Sequence, residues 1–340
     1  MLHQLIPALP LLVALPTAHA QVLVDSIPYP GQGTGVWGIH VTADTIFLGS
    51  DLTGKIRFSD HNGIILGELT TPFDFNHGLI RRPASYLIAE DFTTNGAGLY
   101  EIDLGGTLLN SWTFPNVIGG PSSGIGDLEA DGNAIWYTMY YPDFNTYPFA
   151  YAYKWVPGDP APVDTVPLQG EQPYGIALKG DTLLYVTDNL NGDQERIYAY
   201  DLTNEQDLGW IELPDTPIDN DQRPQGMHYD GQFLHLVANR QGGSAFAYQT
   251  VFKYAFDINT AVFSREGPVV SIHPSPASDV VSLRLVDGAA QPFAVFDASG
   301  KQVVTGILNA DRTTLDVADW AAGTYTVKVG PTARRFHVVH

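Results

Sequence analysis

Short apolar runs alternate with clusters of turn-forming residues along most of the chain, and the stretch from Tyr174 shows the pattern most clearly. Tyr174-Gly175-Ile176-Ala177-Leu178 reads as a strand and Lys179-Gly180-Asp181 as a hairpin turn. Leu183-Leu184-Tyr185-Val186-Thr187 is a second strand, dense in β-branched and aromatic residues that suit a pleated surface. Asp188-Asn189-Leu190-Asn191-Gly192-Asp193 is a loop of residues that hydrogen-bond their own backbone. Arg196-Ile197-Tyr198-Ala199-Tyr200-Asp201 and Gly209-Trp210-Ile211-Glu212-Leu213 complete a unit of four strands. No segment carries the 3.6-residue period of a long amphipathic helix.

The same unit recurs. Segments with a glycine entering an apolar strand begin near Trp37-Gly38-Ile39, His77-Gly78-Leu79, Ile125-Gly126-Asp127, Tyr174-Gly175-Ile176 and Gln225-Gly226-Met227. Their glycines are 40, 48, 49 and 51 residues apart. Four-stranded units with a period of about 40–50 residues are blades of a β-propeller, because each blade has a face it can bury only against its neighbours in a ring. The count gives five blades, with six as the alternative. Val22 to Pro28 resembles the outer strand of a unit and is expected to join the last blade and close the ring. Pro173 to Ala177, Tyr185 to Asn189 and Arg196 to Tyr198 resemble one repeat of the NHL and SMP-30/gluconolactonase-like propellers. That likeness extends over 21–267 as architecture and transfers no catalytic set.

After Gly267-Pro268 the texture changes to closely spaced short strands. Val280–Leu285, Phe293–Asp297, Gln302–Val304, Thr314–Val317, Gly323–Val329 and Arg335–Val339 predict a small antiparallel Ig-like β-sandwich over 268–340. Pro274-Ser275-Pro276-Ala277-Ser278-Asp279 opens it, followed by Phe296-Asp297-Ala298-Ser299-Gly300-Lys301, Leu315-Asp316-Val317, the Gly323-to-Val329 strand and the basic Arg335-Phe336-His337-Val338-Val339 end. In this order the blocks resemble the C-terminal sorting domain of the type IX secretion system, with Ser275 where that family usually has Asn. The resemblance implies a diderm bacterial host, recognition by the outer-membrane translocon, and removal of the tail by cleavage in or near Ser264–Val270.

Residues 1–20 fit a secretory signal: an apolar stretch from Leu5 to Leu15, then the small residues Ala18 and Ala20, with cleavage expected between Ala20 and Gln21. Its three prolines argue against a buried helix. The stretch falls short of the roughly 20 residues that span a bilayer, and no other run reaches that length, so no transmembrane segment is expected. The formal charge is -20, and all of it falls in 21–267, where 11 Lys and Arg face 31 Asp and Glu. Such a surface repels phosphates, which disfavours nucleic acid as a partner. The chain contains no Cys, which excludes disulfides, thiolate metal sites and a cysteine nucleophile.

Three sets of residues offer chemistry. Trp37, His40, His77, Asp127, Tyr174 and His228, with Gln225, flank the repeated glycines and are expected to line one mouth of the central channel. His, Asp and Tyr there suit acid–base work or metal binding, and equally suit packing between blades. Asp188, Asn189 and Asp193 place oxygens at alternating positions, which suits Ca²⁺ as a cofactor but is also ordinary turn chemistry. Tyr140, Tyr141, Phe144 and Tyr147 fall in a segment broken by Pro142 and Pro148, the expected protruding loop of unit three, where aromatics can stack on sugar or protein. Two functions stay open: a secreted or surface-attached binder of a protein or glycan, and a lactonase- or glycosidase-like hydrolase working at the channel.

Overall fold

In the computed structural model the described residues are 21–28, 35–50, 53–90, 98–115, 124–140, 150–169, 173–188, 195–213, 222–242, 244–256, 270–285, 290–308, 312–330 and 332–340. The expected signal segment and the expected processing residues 264–269 lie outside them.

β1 (Gln21–Pro28) stands apart from the strands that follow it in sequence. Blade one is β2 (Val36–Val41), β3 (Ile46–Ser50), β4 (Lys55–Ser59) and β5 (Ile65–Thr70), and blade two is β6 (Asn76–Arg81), β7 (Ser85–Glu90), β8 (Gly98–Asp103) and β9 (Leu108–Thr113). Blade three is β10 (Gly124–Asp131), β11 (Ala134–Tyr140), β12 (Ala150–Trp155) and β13 (Asp164–Leu168). Blade four is β14 (Pro173–Lys179), β15 (Thr182–Thr187), β16 (Arg196–Asp201) and β17 (Gln206–Glu212). Blade five takes β18 (Gln222–Tyr229), β19 (Phe233–Gly242) and β20 (Ser244–Phe256) from its own stretch of chain. Its fourth strand is β1, which runs antiparallel to β20 from Gln21 opposite Phe256 to Pro28 opposite Thr250. The first and last strands of the ring are thereby paired, and the edge of β20 is covered. The blade count is five, not six.

The repeated glycines show why the ring closes. A Cβ added to Gly38 would stand 2.5 Å from the carbonyl oxygen of His77 in the next blade. At Gly175 it would stand 2.4 Å from Gln225 O, and at Gly226 2.2 Å from Trp37 O, which links blade five to blade one. Only glycine lets the inner strands approach this closely. Away from the axis the blades bury β-branched, leucine and aromatic faces: Ile39, Ile46 and Leu48 pack with Ile27 and Val251, and Trp136, Tyr137, Tyr153 and Trp155 fill blade three.

The tail contains β21 (Val270–His273), β22 (Val280–Leu285), β23 (Gln291–Phe296), β24 (Gln302–Leu308), β25 (Thr313–Asp316), β26 (Gly323–Val329) and β27 (Thr332–Val338). They form two sheets, β21-β22-β25 and β24-β23-β26-β27, around a core that includes Val281, Leu283, Val295, Val327 and Phe336. β21 is additional to the six strands read from the sequence.

Candidate functional site

Each inner strand carries a bulge next to its repeated glycine, where the ladder register shifts. Bulges re-aim side chains, and here they sort the inner-strand residues into layers along the axis. After the bulge, Ile39 pairs with Leu48, Ile176 with Tyr185 and Met227 with Leu236; in blade three the equivalent residue is Leu128, paired with Tyr137. Counting back, the position held by Gly38, Gly78, Gly175 and Gly226 is held in blade three by Asp127, and Gly126 sits one place earlier. Blade three is offset by one residue from the spacing of the glycines.

The first layer contains Trp37, His77, Gly126, Tyr174 and Gln225. Trp37 stacks on His77 with ring centroids 4.0 Å apart and planes 5° from parallel, and lies 5.6 Å from the Tyr174 ring of blade four. Phe75 meets the His77 ring edge-on at 6.3 Å. His77 is 1%, Gln225 2% and Tyr174 7% exposed, so the cluster is nearly enclosed. Gly126 contributes no side chain to this layer, and Thr138 beside it donates its hydroxyl to Tyr174 O. Trp37 Nε1, a donor, and Gln225 Oε1, an acceptor, are buried and have no hydrogen-bond partner among the described residues. Buried groups of this kind are nearly always satisfied in native proteins.

Asp127 forms the second layer and is fully buried. Its Oδ2 accepts the Met227 N–H at 2.8 Å and the Ile176 N–H at 3.3 Å, which ties blades three, four and five together at the axis. Oδ1 has no partner. Burial pushes this carboxyl well above the usual carboxylate range, against the pull of the backbone amides of Met227, Leu128 and Ile176.

The third layer is His40, Glu129 and His228, from blades one, three and five. His228 Nδ1 lies 3.2 Å from Glu129 Oε2, and the His40 and His228 rings are 4.2 Å apart. Burial, then the neighbouring His228 and Arg81, lowers the pKa of His40 to about 3. Burial pulls His228 down as well, but Glu129 outweighs it and holds that ring above the ordinary histidine value.

The structure thus gathers Trp37, His77 and Tyr174 in one layer and His40 and His228 in another, with Asp127 between them. Glu129, which the sequence reading did not single out, completes the third layer; its signal was the i, i+2 spacing from Asp127 on a strand. Asp188 ends β15's hairpin arm as a buried residue, whereas Asn189 and Asp193 lie outside the described residues. Tyr141, Phe144 and Tyr147 also lie outside them, as does the Tyr140 side chain. Among the described residues no group of three or more His, Asp or Glu is arranged to hold a metal ion. Among the described residues no helix is long and apolar enough to cross a membrane.

In the tail, the motif blocks meet through the backbone. Ala277 of the opening block donates to His337 O at 2.8 Å and accepts from Val339 N at 2.9 Å, which fastens it to β27. Asp279 O accepts Val317 N at 2.8 Å, and Asp297 Oδ1 caps the turn by accepting from Ser299 and Lys301 N–H.

Residues 271–336 match the family described as the Secretion system C-terminal sorting domain. No curated protein matches the chain. Among solved structures, the glutaminyl cyclase of Myxococcus xanthus is similar at 9% identity over 70% of this chain and 97% of that one, with a TM-score of 0.48. The tail is a signal of the type IX secretion route, and the protein is secreted or held at the outer surface of a bacterial cell.

Proposed function

We propose that the propeller is an exported recognition module that binds a neutral, hydroxyl-rich ligand, a glycan, at the first layer of its channel. The observation that carries this reading is the Trp37–His77–Tyr174 cluster, in which Trp37 Nε1 and Gln225 Oε1 are buried without a hydrogen-bond partner among the described residues. Aromatic faces stack on the C–H faces of sugar rings, while an orphaned donor and an orphaned acceptor match the two faces of a hydroxyl. The acidic propeller disfavours sulfated or phosphorylated glycans. The test is a panel of neutral oligosaccharides titrated against the purified protein. Binding by one of them, weakened about tenfold or more in Trp37→Ala and Gln225→Ala, supports the reading, since each variant removes about 1.4 kcal/mol or more. Unaltered affinity in both variants contradicts it.

A hydrolase is the second reading, and Asp127 favours it: a carboxyl whose pKa is raised by burial suits a proton donor. Glu129 with His228 would supply the paired base. Turnover of a glycoside or lactone that is abolished in Asp127→Asn and Glu129→Gln would replace the binding reading with this one.

A further inference from the structure

The outer rim of blades three and four carries a set of residues that the channel does not use. The Arg335 side chain of β27 is 2% exposed and is enclosed by the propeller. Its Nη1 reaches Asp164 Oδ1 at 2.9 Å and donates to Thr165 O, both on the outer strand of blade three. Its Nε donates to Tyr200 Oη at 3.1 Å, on the third strand of blade four, and Nη2 lies 3.9 Å from Glu205 Oε1. Two residues on, His337 Nε2 meets Glu205 Oε2 at 2.9 Å. Phe296 of β23, 5% exposed, joins the apolar cluster of blades two to four.

Glu205 adds an independent observation. It has φ +51°, and every other described residue in the left-handed region is a glycine. The corresponding turns of blades one and two use Gly63 and Gly106 there, and the tail's own turn uses Gly300. A non-glycine residue in this region is strained, and such strain persists where a contact requires that side chain. Glu205 alone among these positions faces Arg335 and His337.

We propose that the rim of blades three and four is a docking site for an arginine-bearing β-strand, occupied here by the chain's own sorting tail, and that docking requires the two blades to be assembled side by side. Asp164, Tyr200 and Glu205 come from two blades and converge only when both are in place. The completed socket gives the buried guanidinium hydrogen bonds at Nε and Nη1 and a carboxylate, Glu205, beside Nη2, whereas half of the socket would leave its charge largely uncompensated. The tail is therefore held in one orientation on a folded propeller.

Hydrogen exchange of the full chain tests this, read in 332–338 and in the strands of blades three and four. In Arg335→Ala, exchange in 332–338 should rise about tenfold while the blades stay protected; Arg335→Lys, lacking the fork, should fall between. Glu205→Gly discriminates further. It relieves the left-handed strain, so a Glu205 without a docking role would leave the tail unchanged or slower to exchange; the socket requires faster exchange in 332–338. Trp155→Ala, which loosens blade three, should raise exchange in 332–338 together with β13. Unchanged or slower tail exchange in Arg335→Ala or in Glu205→Gly, or tail exchange that ignores Trp155→Ala, would overturn the proposal.

Discussion

Asp127 stands where four other blades have glycine, and its consequences are local and measurable. Asp127→Ala leaves the buried Met227 and Ile176 amides without an acceptor and should cost about 2 kcal/mol in denaturant unfolding. Asp127→Asn keeps an acceptor and cannot ionise. Because the native pKa is raised above the unfolded value of 3.8, the wild-type residue contributes most below that pH and loses its contribution as the pH rises toward the native pKa. The Asn variant should therefore gain stability relative to wild type as the pH is raised from about 4. His40 has the opposite sign. With a native value of about 3 against 6.5 unfolded, it stabilises fully above 6.5 and loses that contribution as the pH falls toward 3. His40→Gln should flatten the acid side of the stability profile by up to about 1.4 kcal/mol per pH unit. The types of these residues were legible in the sequence, but their layering was not. It depends on bulges, and the one-residue offset of blade three placed Gly126 where Asp127 belongs.

Among the elements, the inner strands were the most legible, because the close approach of backbones at the axis imposes glycine at a regular interval. Gly226→Ala should be severe, costing about 3 kcal/mol or more, since its Cβ meets the Trp37 carbonyl and nothing flexible can yield. Gly132→Ala has open space and only a left-handed backbone to accommodate, at about 1 kcal/mol. Thermal unfolding of the pair separates ring packing from turn conformation. β1 was legible as an outer strand because it repeats that strand's pattern, and its removal should expose the edge of β20 and promote aggregation on heating. β21 was missed: Val-Ser-Ile-His is four residues long and gives too short an alternation to register.

At the scale of the whole molecule, the tail could be read because its blocks are sequence-local turns and strand ends, and the structure bonds several of them to one another through the backbone. Its docking could not, since Arg335 reaches partners 135 and 171 residues away and no local pattern records such a pair. Charge was legible in full. The excess of acid over base in 21–267 predicts that the protein passes through a polyanion column at low ionic strength without retention.

The claim on which the account most depends is that the Trp37 layer is where ligand enters. The chain has six Trp, so a ¹⁵N–¹H spectrum resolves six indole N–H signals, and Trp37→Phe identifies one of them. On titration with an oligosaccharide that the protein binds, the Trp37 indole signal should shift the most, because its unpartnered donor gains an acceptor. A Trp37 signal that stays in place while the protein saturates with ligand would contradict the account.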